Sequence, residues 1–121
     1  MRIPFLRRPK PFAEVSAEDA IARVARGAVL VDVRTGLEFG KAHAEGARNI
    51  PLELVARRAA ELPAGAEVVV ICQSGHRSAL AARSLAKRGY SVSSVLGGTP
   101  AWKQAGGAMN VKPYRSPGVS H

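Results

Sequence analysis

Hydrophobic positions along this chain alternate between helical spacing and short unbroken runs. Residues 16–26, SAEDAIARVAR, set Ala20, Ile21, Val24 and Ala25 on one helical stripe. Ser16 is placed to cap that helix, with Asp19 three residues on as the reciprocal carboxylate and Gly27 to close it. Residues 28–33, AVLVDV, are apolar on both faces and predict a strand covered by helices on either side. The stretch 34–46 is broken by Gly36, Gly40 and Gly46 and predicts a loop with one short helix. Residues 47–51 predict a short strand ended by Pro51. Residues 52–61 put Leu52, Val55, Ala56 and Ala59 on one helical face, with Pro63 after the stop. A second buried strand is expected at 67–71 (EVVVI), an amphipathic helix at 78–88 closed by Gly89, and a third strand at 91–96 (SVSSVL). Pro100 is placed to begin a short helix through Trp102 and Lys103, and after Gly106-Gly107 the pattern fades.

Strands that alternate with helices imply an α/β fold with a parallel central sheet, right-handed crossovers and helices on both faces. In such sheets binding sites form beyond the carboxyl ends of the strands. The 121 residues, 46% hydrophobic and 22% charged, suit one compact domain. We expect a basic arm at 1–13, the folded domain at 14–108 and a tail at 109–121.

Charge sharpens that division. Of the net +9, residues 1–12 contribute +4, residues 111–121 contribute +2, and the middle is left at +3. A basic surface attracts anions, but aromatic residues are only 5% and do not interleave with the charges, so no specific nucleic-acid binding is expected. No apolar run approaches the roughly 20 residues of a membrane span, and the basic start lacks a signal-peptide core. A cytoplasmic protein is expected. The single cysteine excludes an internal disulfide framework and a cysteine-based zinc site, and neither a metal nor a cofactor is expected.

That cysteine, Cys72, ends the strand EVVVI and opens the loop CQSGHRS, with a helix expected from Ser78. Backbone N–H groups in a tight loop can curl around one point and bind an anion. A helix N-terminus adds unsatisfied N–H groups and about half a positive charge. Both favour thiolate over thiol, and Arg77 and His76 add positive charge. A lone cysteine is often merely a small core residue. Here polar Gln73 and Ser74 and then Gly75 follow it at once, which points to a reactive thiolate open to solvent.

With those residues in view, the chain resembles single-domain rhodaneses, the thiosulfate sulfurtransferase-like proteins, over about residues 15–107. The resemblance lies in VDVR (31–34), Glu38-Phe39, HAEGARNIP (43–51), CQSGHRS (72–78) and LGGTPAW (96–102), in that order. It implies that Cys72 takes sulfane sulfur from a donor such as thiosulfate, becomes a persulfide, and passes the sulfur to cyanide or a thiol. Gln73, Ser74, Gly75, His76, Arg77 and Ser78 would then form the anion-binding loop, with backbone N–H groups cradling the persulfide. Two features depart from the family pattern. Ala42 and Ala44 flank His43 in place of glycine and isoleucine, and the loop lacks a doubly basic pair after the cysteine.

Asp32, Arg34 and Glu38 are read as supporting residues. A carboxylate braces Arg77, since a buried arginine needs a partner. Arg34 either faces the pocket mouth or closes a structural ion pair. His43 is read as bonding backbone in a turn, and Trp102 as a core anchor. The expected partners are small sulfur-containing anions or thiols, with a sulfur-relay protein as a further partner. The alternative is a sulfur-carrier or docking module loaded by such a protein. Tyrosine phosphatases use a Cys-x5-Arg ring, whereas Cys72 to Arg77 is Cys-x4-Arg, one residue shorter and sized for sulfur rather than phosphate. A phosphatase-like protein and a non-catalytic regulatory domain complete the alternatives.

Overall fold

The structure is a computed structural model that describes residues 11–111. The arm at 1–10 and the tail at 112–121 lie outside the described residues. The chain runs β1 (Ala13–Val15), α1 (Ala17–Ala25), β2 (Val29–Asp32), α2 (Gly36–Lys41), β3 (Ala42–Ala44) and β4 (Arg48–Asn49). It continues through a turn of 3-10 helix (Leu52–Leu54), α3 (Val55–Arg58), a second 3-10 turn (Ala59–Glu61) and β5 (Glu67–Ile71). Then come α4 (His76–Lys87), β6 (Ser91–Val95), α5 (Gly98–Gln104) and β7 (Met109–Val111).

Five parallel strands form the central sheet in the order β1-β6-β5-β2-β4. Side chains alternate across it as the pleat requires. Val68 and Val70 join Val31, Ala81, Ala82 and Leu85 in a core beneath α3 and α4, while Val69 and Ile71 join Leu30, Ala20 and Trp102 beneath α1 and α5. Helices therefore cover both faces, which is why β2 and β5 read as unbroken apolar runs. Among the described residues, no helix is long and apolar enough to cross a membrane.

Several boundaries differ from expectation. The single helix expected over 52–61 is broken into three short pieces. At its end, Pro63 has no N–H to give the Ala59 carbonyl four residues back. That carbonyl accepts instead from the Leu62 N–H at 3.0 Å and the Tyr90 hydroxyl at 2.9 Å. Ser16 does cap α1, accepting the Asp19 N–H at 3.1 Å, but the Asp19 carboxylate turns to Arg23 at 3.0 Å rather than back to the cap. The reciprocal cap occurs in α2, between Thr35 and Glu38. Helix α5 begins at Gly98, with Pro100 inside its first turn, where a missing N–H costs nothing.

Both ends of the described chain hold more structure than the pattern suggested. Phe12 is only 7% exposed and packs in the core beneath α4, and β1 follows it onto the sheet edge. Where the pattern fades, β7 pairs antiparallel with β3, His43 opposite Asn110. Trp102 is a core anchor as expected, and its Nε1 donates to the Ala108 carbonyl at 2.9 Å just before β7.

Candidate active site

Strand β5 delivers Cys72 to the carboxyl edge of the sheet, and the chain must turn within three residues to start α4. Gly75 makes the turn possible. It is the N-cap of α4 at φ 94°, a left-handed conformation that glycine adopts without penalty. Its conformation ends the loop early, so α4 starts at His76 instead of Ser78.

The turn folds the first amides of α4 back over the sulfur. Cys72 Sγ accepts the Gly75 N–H at 3.0 Å and the Ser78 N–H at 3.3 Å, and Ser78 Oγ lies 3.5 Å away. The amides of Gln73, His76 and Arg77 make no hydrogen bond to it, so the cradle is narrower than the full loop expected from sequence. Burial is the largest influence on this thiol and pushes its pKa up. Hydrogen bonds from the Ser78 hydroxyl and from the Ser78, Ser74 and Gly75 amides outweigh it, and the net direction is down.

One expectation is corrected. Cys72 is 0% exposed rather than open to solvent. Its side chain packs into the core beneath α3 and α4 and under the first turn of α4, while the loop after β6 closes on the backbone of the cysteine loop. Thr99 donates to the Cys72 carbonyl from its N–H at 2.8 Å and from its Oγ1 at 3.1 Å. Gly98, at φ +62°, passes so close that a Cβ there would run into the carbonyls of Cys72 and Gln73. Gln73, Ser74 and His76 are exposed on the outside of this closed loop. Beside them lies a cavity of about 370 Å³ lined by Glu14, Ser74, His76, Leu96 and Gly97 among others.

Arg77 is braced by Glu38, with Nη1 to Oε1 at 2.8 Å and Nη2 to Oε2 at 3.0 Å. Glu38 also accepts the Thr35 N–H as the capping carboxylate of α2, so the brace is anchored at both ends. The Arg77 hydrogen bonds are the main reason that the Glu38 carboxyl is lowered to about 2. Arg34 proves to be the ion-pair member rather than a pocket-mouth group. Its Nε and Nη2 grip the Asp32 carboxylate at 2.8–3.1 Å, Nη2 also donates to the Ala42 carbonyl at 2.7 Å, and both residues are buried. His43 bonds backbone as expected, Nδ1 lying 2.8 Å from the Phe39 carbonyl, with its ring stacked on Phe39.

Sequence reasoning missed four contributors. Asn49 ties β4 to the β2 loop through the Asp32 and Arg34 carbonyls, at 3.1 and 2.9 Å. Gly98 and Thr99 hold the loop after β6 against the Cys72 and Gln73 backbone. Ser94, 2% exposed, lies 2.8 Å from Ser78 Oγ, and its signal was a hydroxyl inside an otherwise buried strand.

The rhodanese-like domain family matches residues 16–105. The putative sulfur carrier protein YrkF of Bacillus subtilis is 43% identical over 74 residues, 60% of this chain and 40% of that protein. A sulfurtransferase of Allochromatium vinosum is 34% identical over 96 residues, covering 77% of this chain and 90% of that one. Among solved structures, the rhodanese-like domain of an Anabaena protein superposes with a TM-score of 0.73 at 26% identity, covering 89% of this chain and 86% of that one.

Proposed function

The chain belongs to the rhodanese-like domain family, and from that footing we propose that it is a sulfurtransferase acting through a persulfide on Cys72. The observation that carries this reading is the Cys72 sulfur seated against the Gly75 and Ser78 amides at the start of α4. Such a seat favours negative charge on sulfur and supplies a nucleophile near neutral pH without a separate base. The thiolate attacks the outer sulfur of a donor such as thiosulfate. A new S–S bond forms, the old one breaks, and sulfite leaves with the electron pair. An acceptor nucleophile, cyanide or a thiolate, then takes the terminal sulfur, and the Cys72 thiolate returns with the electrons of the broken bond. The amide seat and the N-terminus of α4 stabilise the anion throughout. Because Cys72 is fully covered, the residues packed over it have to part for a donor to enter. Arg77, held by Glu38, ties α4 to α2 beside the cysteine loop.

Mixing the protein with excess thiosulfate tests the reading. One sulfite released per chain and a mass gain of one sulfur atom, both lost in Cys72→Ser, are expected. An unchanged mass overturns it.

The likeness to a Bacillus sulfur carrier favours a second reading, in which a partner protein loads the same cysteine and the sulfur is relayed onward. Loading that proceeds readily from a persulfide-bearing protein, with negligible turnover to cyanide, identifies the carrier.

A further inference from the structure

We propose that Ser94 on β6 is a positioning residue for the reactive sulfur, acting through the Ser78 hydroxyl to aim its proton at Cys72 Sγ. The inference rests on the reading of Cys72 as a thiolate nucleophile and adds a residue from the neighbouring strand to it.

Ser78 Oγ lies between two partners, Cys72 Sγ at 3.5 Å and Ser94 Oγ at 2.8 Å. Ser78 and Cys72 are fully buried, and Ser94, 2% exposed, borders the cavity beside the loop. Among the described residues, Ser94 Oγ has no hydrogen-bond partner other than Ser78. Each hydroxyl owns one proton. With sulfur ionised, two protons serve two contacts in one arrangement only, Ser94 donating to Ser78 and Ser78 donating to sulfur. With sulfur protonated, three protons compete for the same two contacts, and one donor is left unmatched. A buried unmatched donor is costly. The pair of serines therefore favours the ionised form, and without Ser94 the Ser78 proton loses the donor behind it that fixes its direction.

The surrounding charges come from other elements. Arg77 and Glu38 pair beside the loop, Asp32 and Arg34 pair at the end of β2, Glu14 lies opposite Ser94 on β1, and His76 stands at the start of α4. Substituting Ser94 removes none of them.

The thiolate absorbance of the sole cysteine, followed against pH, provides a readout independent of sulfur transfer. Ser94→Ala should raise the thiol midpoint by up to about one pH unit, up to about tenfold less thiolate at a fixed pH below it. Ser94→Thr, which keeps a hydroxyl, should restore the original midpoint. Ser94→Val, with the shape of threonine and no hydroxyl, should raise it as alanine does, and the Thr/Val pair carries the test if the alanine variant does not fold. Ser93→Ala, one residue away and equally buried, should leave the midpoint unchanged. In a Ser78→Ala background the effect of Ser94→Ala should vanish, because the route runs through Ser78. An unchanged midpoint in both Ser94→Ala and Ser94→Val, or a shift that persists without Ser78, overturns the proposal. If the midpoint moves as described while thiosulfate never loads Cys72, the positioning role stands and the sulfurtransferase reading falls.

Discussion

Arg77 and Glu38, separated by 39 positions in sequence, meet in a two-pronged ion pair of 2.8 and 3.0 Å that ties α4 to α2 beside the cysteine loop. The forked guanidinium matches both carboxylate oxygens, a geometry lysine cannot reproduce. The carboxylate is doubly fixed, since the same Glu38 caps its own helix through Thr35.

The pair gives a pH signature. Glu38 is held at about 2 in the folded chain, against about 4.3 for a free glutamate, so the unfolded chain binds more protons between those values. Its stabilisation is complete above the higher value and disappears as pH falls toward 2. Both side chains are about one-third exposed, and solvent screening limits the effect to about 0.5–1 kcal/mol. Urea midpoints measured from pH 6 to pH 2 should fall less steeply in Glu38→Gln than in the parent. Parallel curves contradict the assignment.

The buried ion pair predicts a larger loss. Asp32→Asn leaves the Arg34 guanidinium buried without its carboxylate, which should cost about 3–5 kcal/mol. Asp32→Asn with Arg34→Met should cost less than the two single changes together. Chemical denaturation of the four proteins measures both. If Arg34 instead met substrate directly, Arg34→Met would slow sulfur loading with little loss of stability.

Gly98→Ala tests how closely the two loops meet. The added methyl meets the Cys72 and Gln73 carbonyls at a left-handed backbone position, so the two loops must separate. The strain alone amounts to about 1–3 kcal/mol. Thermal unfolding should show that loss. A melting temperature equal to the parent's contradicts the close approach of Gly98 to the cysteine loop.

The elements legible in sequence are those in which many residues repeat one message. Strand β5 and helix α4 have long, consistent patterns, and the polar turn after Cys72 marked the loop between them. Strands β1, β4 and β7 span only two or three residues each, too few to show a period. The breaks within 52–61 were hidden because no proline or glycine marks them. Burial of Cys72 was not legible because it depends on how α3 and α4 pack over the end of β5, which residues distant in sequence complete. Likewise the Asp32–Arg34 pair was readable as a local possibility, but only the packed β2 edge decides that the guanidinium turns inward.

The charge state of the Cys72 sulfur decides whether it is a nucleophile near neutral pH. Because the chain has a single cysteine, its thiolate absorbance can be titrated in the native protein and again in the urea-unfolded chain, with no other thiol contributing. The native midpoint should lie below the unfolded one, and stability should accordingly decline as pH falls through that native midpoint. A native midpoint equal to or above that of the unfolded chain would mean that burial outweighs the hydrogen bonds of Ser74, Gly75 and Ser78, and would contradict a thiolate nucleophile at this position.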